Sequence, residues 1–359
     1  MARYVSAAPV FKVDGTPVHE LARDLLNLEI EETTEGLRTC VLRLVNEGPR
    51  PGQAEDEFLY LDGSRIDLGK PLEVSIGPRD DERTVFKGLV SGLEGDFHEG
   101  APSQVVVFAE DALMKLRMTR RSRTYTDKTD AAIAAEIAGQ NQLTPDCDAP
   151  GPTYDVVQQW NQSDLAFLRQ RARLIQAELW VEDDTLHFKS RGGRSGTRLT
   201  LVQGNSLIHA VVRVDLAHQR TQVKVSGYDA QTRDVIDEQA GPDAVQSEAQ
   251  GGRSGPDVLQ QAFGARADYR VREAPLTSDE ARQWARAEML RRARGFLRLS
   301  GVADGRPDMT VGSILDLQRL GGAFSGDGWY VTRVCHVYDL QDAHRTHFEA
   351  ERPFLGTSP

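Results

Sequence analysis

The chain has 359 residues, 39% of them hydrophobic and 27% charged, which suits a globular protein of two or three domains. No apolar run approaches the ~20 residues of a membrane-crossing helix, so membrane insertion is not expected. A net charge of −11 repels phosphate backbones and disfavours a general nucleic-acid binder.

The start, MARYVSAAPVFKVDG, has no basic stretch followed by an apolar core, so a secretory leader is not expected and synthesis in the cytoplasm is. Four segments then alternate as antiparallel strands: LRTCVLRLV (Leu37–Val45), PLEVSIG with Leu72, Val74 and Ile76 on one face, VFKGLVSGLEGDF and SQVVVFAED. The acidic, turn-rich NEGPRPGQAEDE between the first two reads as an exposed loop. After Met118 the pattern becomes helical. A helix is expected from about Asp130 to Gln140, capped by Thr129 or Asp130. Leu165, Leu168, Ala172 and Ile175 form one stripe of a second helix, with Ser163 or Asp164 at its N-cap. Its Arg169 and Arg173 lie on the opposite face with Arg171 between, and they read as a solvated face rather than a phosphate clamp. AELWVEDDTLHF is a hairpin turning at Asp183-Asp184, and Gly192–Gly196 is a flexible joint.

A second strand-rich region follows. Val212, Val214 and Leu216 alternate with polar residues, as do Val223 and Val225. Gln239–Pro256 is polar and small-residue rich, and reads as a mobile loop without a core. Thr277 and Glu280 form a capping box for a long helix whose face carries Ala281, Ala285, Met289, Ala293 and Phe296 with Trp284 beside it. Three strands close the chain before an exposed tail. The two β-rich regions hint at an internal duplication.

No catalytic pattern emerges. Cys40, Cys147 and Cys335 form no CxxC, so neither a disulfide framework nor a cysteine zinc site is indicated, and they read as small apolar fillers. There is no HExxH; His336 and His344 lie on adjacent strands, but His347 faces the other side, so a metal site completed by Glu349 is disfavoured. Ser91 sits in a strand pattern rather than a nucleophile elbow, and no phosphate loop or dinucleotide fingerprint is present. The pairs Asp183/Asp184, Glu31/Glu32 and Asp80/Asp81 fall at turns and strand ends, so no two carboxylates suggest themselves as a glycosidase pair. No catalytic, cofactor-binding or metal residues are assigned, and an enzyme is not expected.

The stretch YDVVQQWNQSDLAFLRQRARLIQAELWVEDDTLHF resembles one shared by phage late control protein D, tail baseplate hubs and the hub portion of type VI secretion VgrG spike proteins. The matching residues are Gln159, Ser163, Asp164, Phe167, Leu168, Leu186 and Phe188. TQVKVSGYDAQTRDVI, GVADGRPDMTVGSILDLQ and the closing GWYVTRVCHVYDLQDAHRTHFEAER extend the resemblance over residues 10–352. Gln176-Ala177 stands where such proteins end the helix in glycine, and Asp183-Asp184 replaces a glycine turn.

The resemblance implies an α+β, mainly β fold of two similar antiparallel β-barrel-like tube domains with a helix-plus-hairpin insert. The implied division is 1–118 for the first tube domain, 119–198 for the insert, 199–238 with 296–352 for the second, 239–295 for an inserted loop and long helix, and 353–359 for a tail. It also implies a structural hub, a homotrimer whose six tube domains adapt a sixfold inner tube to a threefold spike, with no turnover. The expected partners are an inner tube or tube-initiator protein, baseplate wedge proteins and a spike on a separate polypeptide, since no spike follows residue 352. Assembly would take place in a phage tail or tail-like particle. Interface candidates are three strands taken as sheet edges, through Leu72, Val74 and Ile76, through Val212, Val214 and Leu216, and through Trp329, Val331 and Val334. Two alternatives remain at this point: a tail-tip protein that binds or degrades peptidoglycan, and a nucleic-acid binder using the basic run Arg117–Arg123.

Overall fold

The computed structural model describes residues 8–49, 56–78, 81–230, 232–270 and 274–356. Asp80, part of the acidic loop at 46–57 and the end of the tail lie outside them. None of the described helices is long and apolar enough to cross a membrane.

The fold is mainly β, built on one sheet of 13 strands. The first module contributes β1 (Val10–Val13), β2 (Leu25–Thr33), β3 (Thr39–Val45), β4 (Pro71–Ile76), β5 (Arg83–Asp96) and β6 (Gln104–Glu110). Strict alternation sends Cys40, Leu42 and Leu44 of β3 and Leu72, Val74 and Ile76 of β4 into a single core with Phe11, Phe86 and Val107. β5 is long enough to belong to two layers. Its first half pairs with β4 and its second half with β6, the changeover falling at Leu89.

An insert follows: β7 (Arg120–Lys128), α1 (Asp130–Gln140), β8 (Thr144–Cys147), β9 (Tyr154–Ser163), α2 (Asp164–Ile175), β10 (Ala177–Glu182) and β11 (Thr185–Ser190). The expected helix and hairpin are both present. Thr129 caps α1 and Ser163 caps α2, each side-chain oxygen accepting an otherwise unpaired amide. Gln176 takes the left-handed cap at φ 57 and Asp183 the turn at φ 50, so both substituted glycine positions keep glycine-like backbones.

The second module holds β12 (Arg198–Val202), β13 (Leu207–Val214), and, after a long excursion, β17 (Leu297–Asp304), β18 (Ile314–Gln318), β19 (Gly326–Asp339) and β20 (Ala343–Arg352). The excursion carries β14 (Gln222–Asp229), β15 (Asp234–Ala240), α3 (Gly255–Phe263), β16 (Ala267–Arg270) and α4 (Ser278–Arg294). β15, β14 and β16 form a separate small sheet against α4. The strand at 222–229, grouped by sequence with the second β-rich region, therefore lies outside that module's sheet. The coreless loop expected at Gln239–Pro256 is also corrected. Ala244 and Val245 are buried against Met289 and Ala293 of α4, and Glu248 accepts two hydrogen bonds from Arg294. Two apolar side chains anchored on a neighbouring helix give this polar segment its order.

The duplication is explicit in the strand registers. In both modules the strands follow the chain in the same order: β1, β2, β3, β4, β5, β6 match β12, β13, β17, β18, β19, β20. The sheet order β2-β3-β6-β5-β4-β1 is repeated as β13-β17-β20-β19-β18-β12. Even the irregularities coincide. β2 slips between Leu25 and Asn27, as β13 does between Leu207 and His209. β5 slips between Val90 and Gly92, as β19 does between Val331 and Arg333. The match ends at the last strand, where β1 joins β4 antiparallel but β12 joins β18 parallel. The modules are fused edge to edge: Arg333–Asp339 of β19 pairs antiparallel with Asn27–Thr33 of β2.

Candidate assembly interface

The seven residues that carried the resemblance do converge, as a scaffold. Gln159 is fully buried; its amide donates to Asp164 Oδ1 (2.9 Å) and to the Gln162 carbonyl (3.0 Å). Asp164 also receives Arg121 at 3.2 Å and Asn141 at 3.3 Å. Phe167 stacks on Tyr125 with ring centroids 5.8 Å apart, and Leu168, Leu186 and Phe188 share one core with it. These groups satisfy one another and leave none poised for chemistry.

The arginines of α2 correct the solvated-face expectation in part: Arg173 is exposed, whereas Arg169 and Arg171 are half-buried. Arg169 donates to the carbonyls of Glu35 and Gly36 (2.8 and 2.9 Å) in the first module, and Arg173 to the Glu35 carboxylate at 2.6 Å. Arg171, half-buried, pairs with Asp130 and lies over the Tyr154 ring. Gly36 is required there: its φ is +69, and a Cβ would stand 2.4 Å from the Leu179 carbonyl oxygen. The signal missed in sequence was the tertiary partner, since helical spacing cannot show that a turn at 34–36 lies alongside. The basic run is likewise absorbed: Arg117 forms a bidentate pair with Glu110, and Arg120 donates to the Asn161 carbonyl.

A buried ionic junction ties the three parts together. Arg194, its side chain 4% exposed, donates to Glu32 of the first module (2.6 Å) and Glu178 of the insert (3.3 Å) while lying over Trp180 at 4.6 Å. Tyr330 of the second module donates to Glu178 at 2.8 Å, and Arg191 bridges Glu178 and Glu351. Burial opposes the Glu32 charge, yet Arg38 and Arg194 hold its carboxyl below the usual range. Burial, with Glu178 beside it, pushes the Tyr330 hydroxyl up. Buried charges survive only when each is paired and hydrogen-bonded, so this network disfavours independent motion of the modules. Beside it lies a cleft of about 980 Å³ where α2, α4 and the polar face of the second module meet. Its arginines are largely engaged, as in Arg292–Asp268 and Arg291–Glu288.

The edge candidates fare unequally. Leu72, Val74 and Ile76 are core residues, because β4 is flanked by β1 and β5. Trp329, Val331 and Val334 are core residues too, because β19 is flanked by β20 and by β18 or β2. Both assignments as edges are corrected: alternation reveals a buried face but not how many neighbours a strand has. Val212, Val214 and Leu216 stand differently. Among the described residues β13 pairs with β17 alone, apart from a single bridge between Leu207 and Gln203, and ends the sheet, with Val211 53% and Val214 38% exposed and Val212 and Leu216 half-buried. The second half of β5, Ser91–Asp96, also pairs on one side only among the described residues.

Of the histidines, His336 Nδ1 and His344 Nε2 are 3.2 Å apart and buried, while His347 is exposed on the other face, as alternation required. No cluster of three metal-ligating side chains occurs among the described residues. Cys40 and Cys335 are buried and Cys147 is half-buried, all with free thiols.

The sequence matches the family model described as Alg8 N-terminal domain over residues 7–339. The chain belongs to the Alg8 N-terminal domain family. No curated protein matches it. Among solved structures, this member of the family is similar to the 43 kDa tail protein of prophage MuSo2 from Shewanella oneidensis, with 13% identity, 96% of this chain and 98% of that one covered, and a TM-score of 0.71. A tail protein from Neisseria meningitidis gives 12% identity, 96% of each chain and 0.65. An Escherichia coli protein described as a component of the type VI secretion system, with structural similarity to bacteriophage tail proteins, gives 13%, 97% and 79% of the two chains, and 0.56. At these identities the likeness is one of fold, and it extends along nearly the whole chain.

Proposed function

We propose that this chain is a non-enzymatic structural hub of a phage tail or tail-like injection machine. It would act as a homotrimer joining a sixfold inner tube to a threefold spike, with baseplate wedge proteins around it. The observation that carries the reading is the register-matched duplication: one chain presents two modules of the same six-strand order already joined edge to edge. Heterologous contacts of this kind close into a ring when repeated, and three such chains present six equivalent units. The fold shared with tail proteins from two bacteria supports the same reading. So does the buried ionic junction, since a part that transmits force along a sheath-driven tube must be rigid.

The test is assembly. Native mass spectrometry of the purified protein, alone and with its tube protein, should give three times the chain mass of 39.7 kDa. End-on particle averages should show a threefold ring of six lobes around an open axis. A strict monomer under both conditions would overturn the proposal.

A further inference from the structure

We infer that the ring contact between copies is a strand addition, in which Leu93–Asp96 of one copy pairs antiparallel with Val211–Val214 of the next; this rests on the ring reading above. The molecule already contains one joint of this kind. Within one chain the second half of β19 pairs with β2. Their counterparts, matched bulge for bulge, are the second half of β5 and all of β13. Among the described residues each of those segments has one neighbour, and they stand at opposite ends of the run β13-β17-β20-β19-β2-β3-β6-β5. The internal joint uses up one copy of each edge, and the other copy remains open.

The internal register therefore dictates the external one. Val334 opposite Glu32 and Cys335 opposite Glu31 become Leu93 opposite Val214 and Glu94 opposite Arg213 of the partner copy; His336 opposite Ile30 becomes Gly95 opposite Val212. These pairs are chemically complementary. Leu93 and Gly95 stand across from the core residues Val107 and Val105, and Val212 and Val214 across from Leu299 and Leu297, so all four share the core side and apolar meets apolar or glycine. Glu94 and Arg213 lie on the outer face, both exposed and neither ion-paired among the described residues. Placed across from each other they form an opposite-charge cross-strand pair, with Asp96 on the diagonal. The internal joint carries a diagonal bridge of this kind, Arg333 to Glu31 at 2.9 and 3.0 Å, in which Glu31 holds the position matched by Arg213. An open edge with exposed Val211 and Val214 is otherwise a template for indiscriminate pairing.

Cysteine cross-linking of the whole chain tests the register. Glu94→Cys with Arg213→Cys should give, under mild oxidation, a covalent species of three chains that ordinary single variants do not give. Asp96→Cys with Arg213→Cys, two residues out of register, should cross-link far less. Glu94→Arg or Arg213→Glu alone should weaken assembly about tenfold or more, and the double reversal should restore it. Trimers that form with neither cross-link nor charge rescue would overturn this contact while leaving the ring reading intact. An open-ended covalent ladder would support the contact and overturn threefold closure. Absence of any oligomer, with or without the tube protein, would overturn both.

Discussion

The ionic junction makes the sharpest energetic prediction. Arg194→Met keeps the length of the side chain and its packing on Trp180, and removes only the cation. Glu32 then retains Arg38 at 2.8 Å, and Glu178 retains the Tyr330 hydroxyl at 2.8 Å and Arg191 at 3.4 Å. Breaking a buried pair costs about 3–5 kcal/mol when one charge is stranded. Because both carboxylates here keep a partner, the cost should lie near the lower end, about 3 kcal/mol. For a chain of this length the unfolding entropy is roughly 0.75 kcal/mol/K, so the midpoint should fall by about 4 °C. Differential scanning fluorimetry beside Arg198→Ala provides the comparison. The Arg198–Asp327 pair is exposed, and its loss should cost under about 1 kcal/mol. Glu32→Gln should also cost less in the Arg194→Met background than in the wild type, by about 1–2 kcal/mol of coupling. If Arg194→Met costs no more than the exposed control, or the two substitutions simply add, the junction is not what binds the modules.

Acid should destabilise the protein from near-neutral pH downward. Burial lowers His336 to about 4, with Arg38 adding to the effect, and His344 to about 3, with His336 adding. The unfolded chain therefore binds more protons from about pH 6.5 down to those values, and stability falls through that window. Asp111, raised by burial to about 6, acts in the opposite sense over its upper part. His344→Asn should remove about one proton from the slope of stability against pH between 6.5 and 4, and an unchanged slope in urea titrations refutes the assignment. Gln176→Gly relieves a left-handed side chain at the end of α2 and should stabilise by about 0.5–1 kcal/mol in denaturant melts. Thr277→Ala, which strips the α4 cap that accepts from Glu280 N at 3.2 Å, should cost about 1 kcal/mol by the same measurement. Val245→Asp should open residues 239–256 to limited proteolysis that the wild-type protein resists.

Much was legible in the sequence because its physics is local. Period-two runs marked β3 to β6 and β18 to β20, and caps at Thr129, Ser163 and Thr277 marked the starts of three helices. The motif at Gln159–Phe188 pointed to a helix-plus-hairpin unit, which is present. What the sequence could not disclose was neighbourhood. An alternating strand buries one face whether it has one partner or two, so β4 and β19 passed for edges. Arg169 on the polar face of α2 reads the same whether water or the Glu35 carbonyl lies opposite. A polar segment such as Gln239–Pro256 looks coreless until a helix is placed beneath Val245.

The chain by itself determined where strands and helices begin and which side chains turn inward, because those follow from backbone periodicity and capping within a few residues. Only the tertiary structure decided which strands are shared, which edges stay open and which charges find each other. Those outcomes depend on contacts between residues hundreds of positions apart, as between Arg333 and Glu31, and no local pattern encodes them.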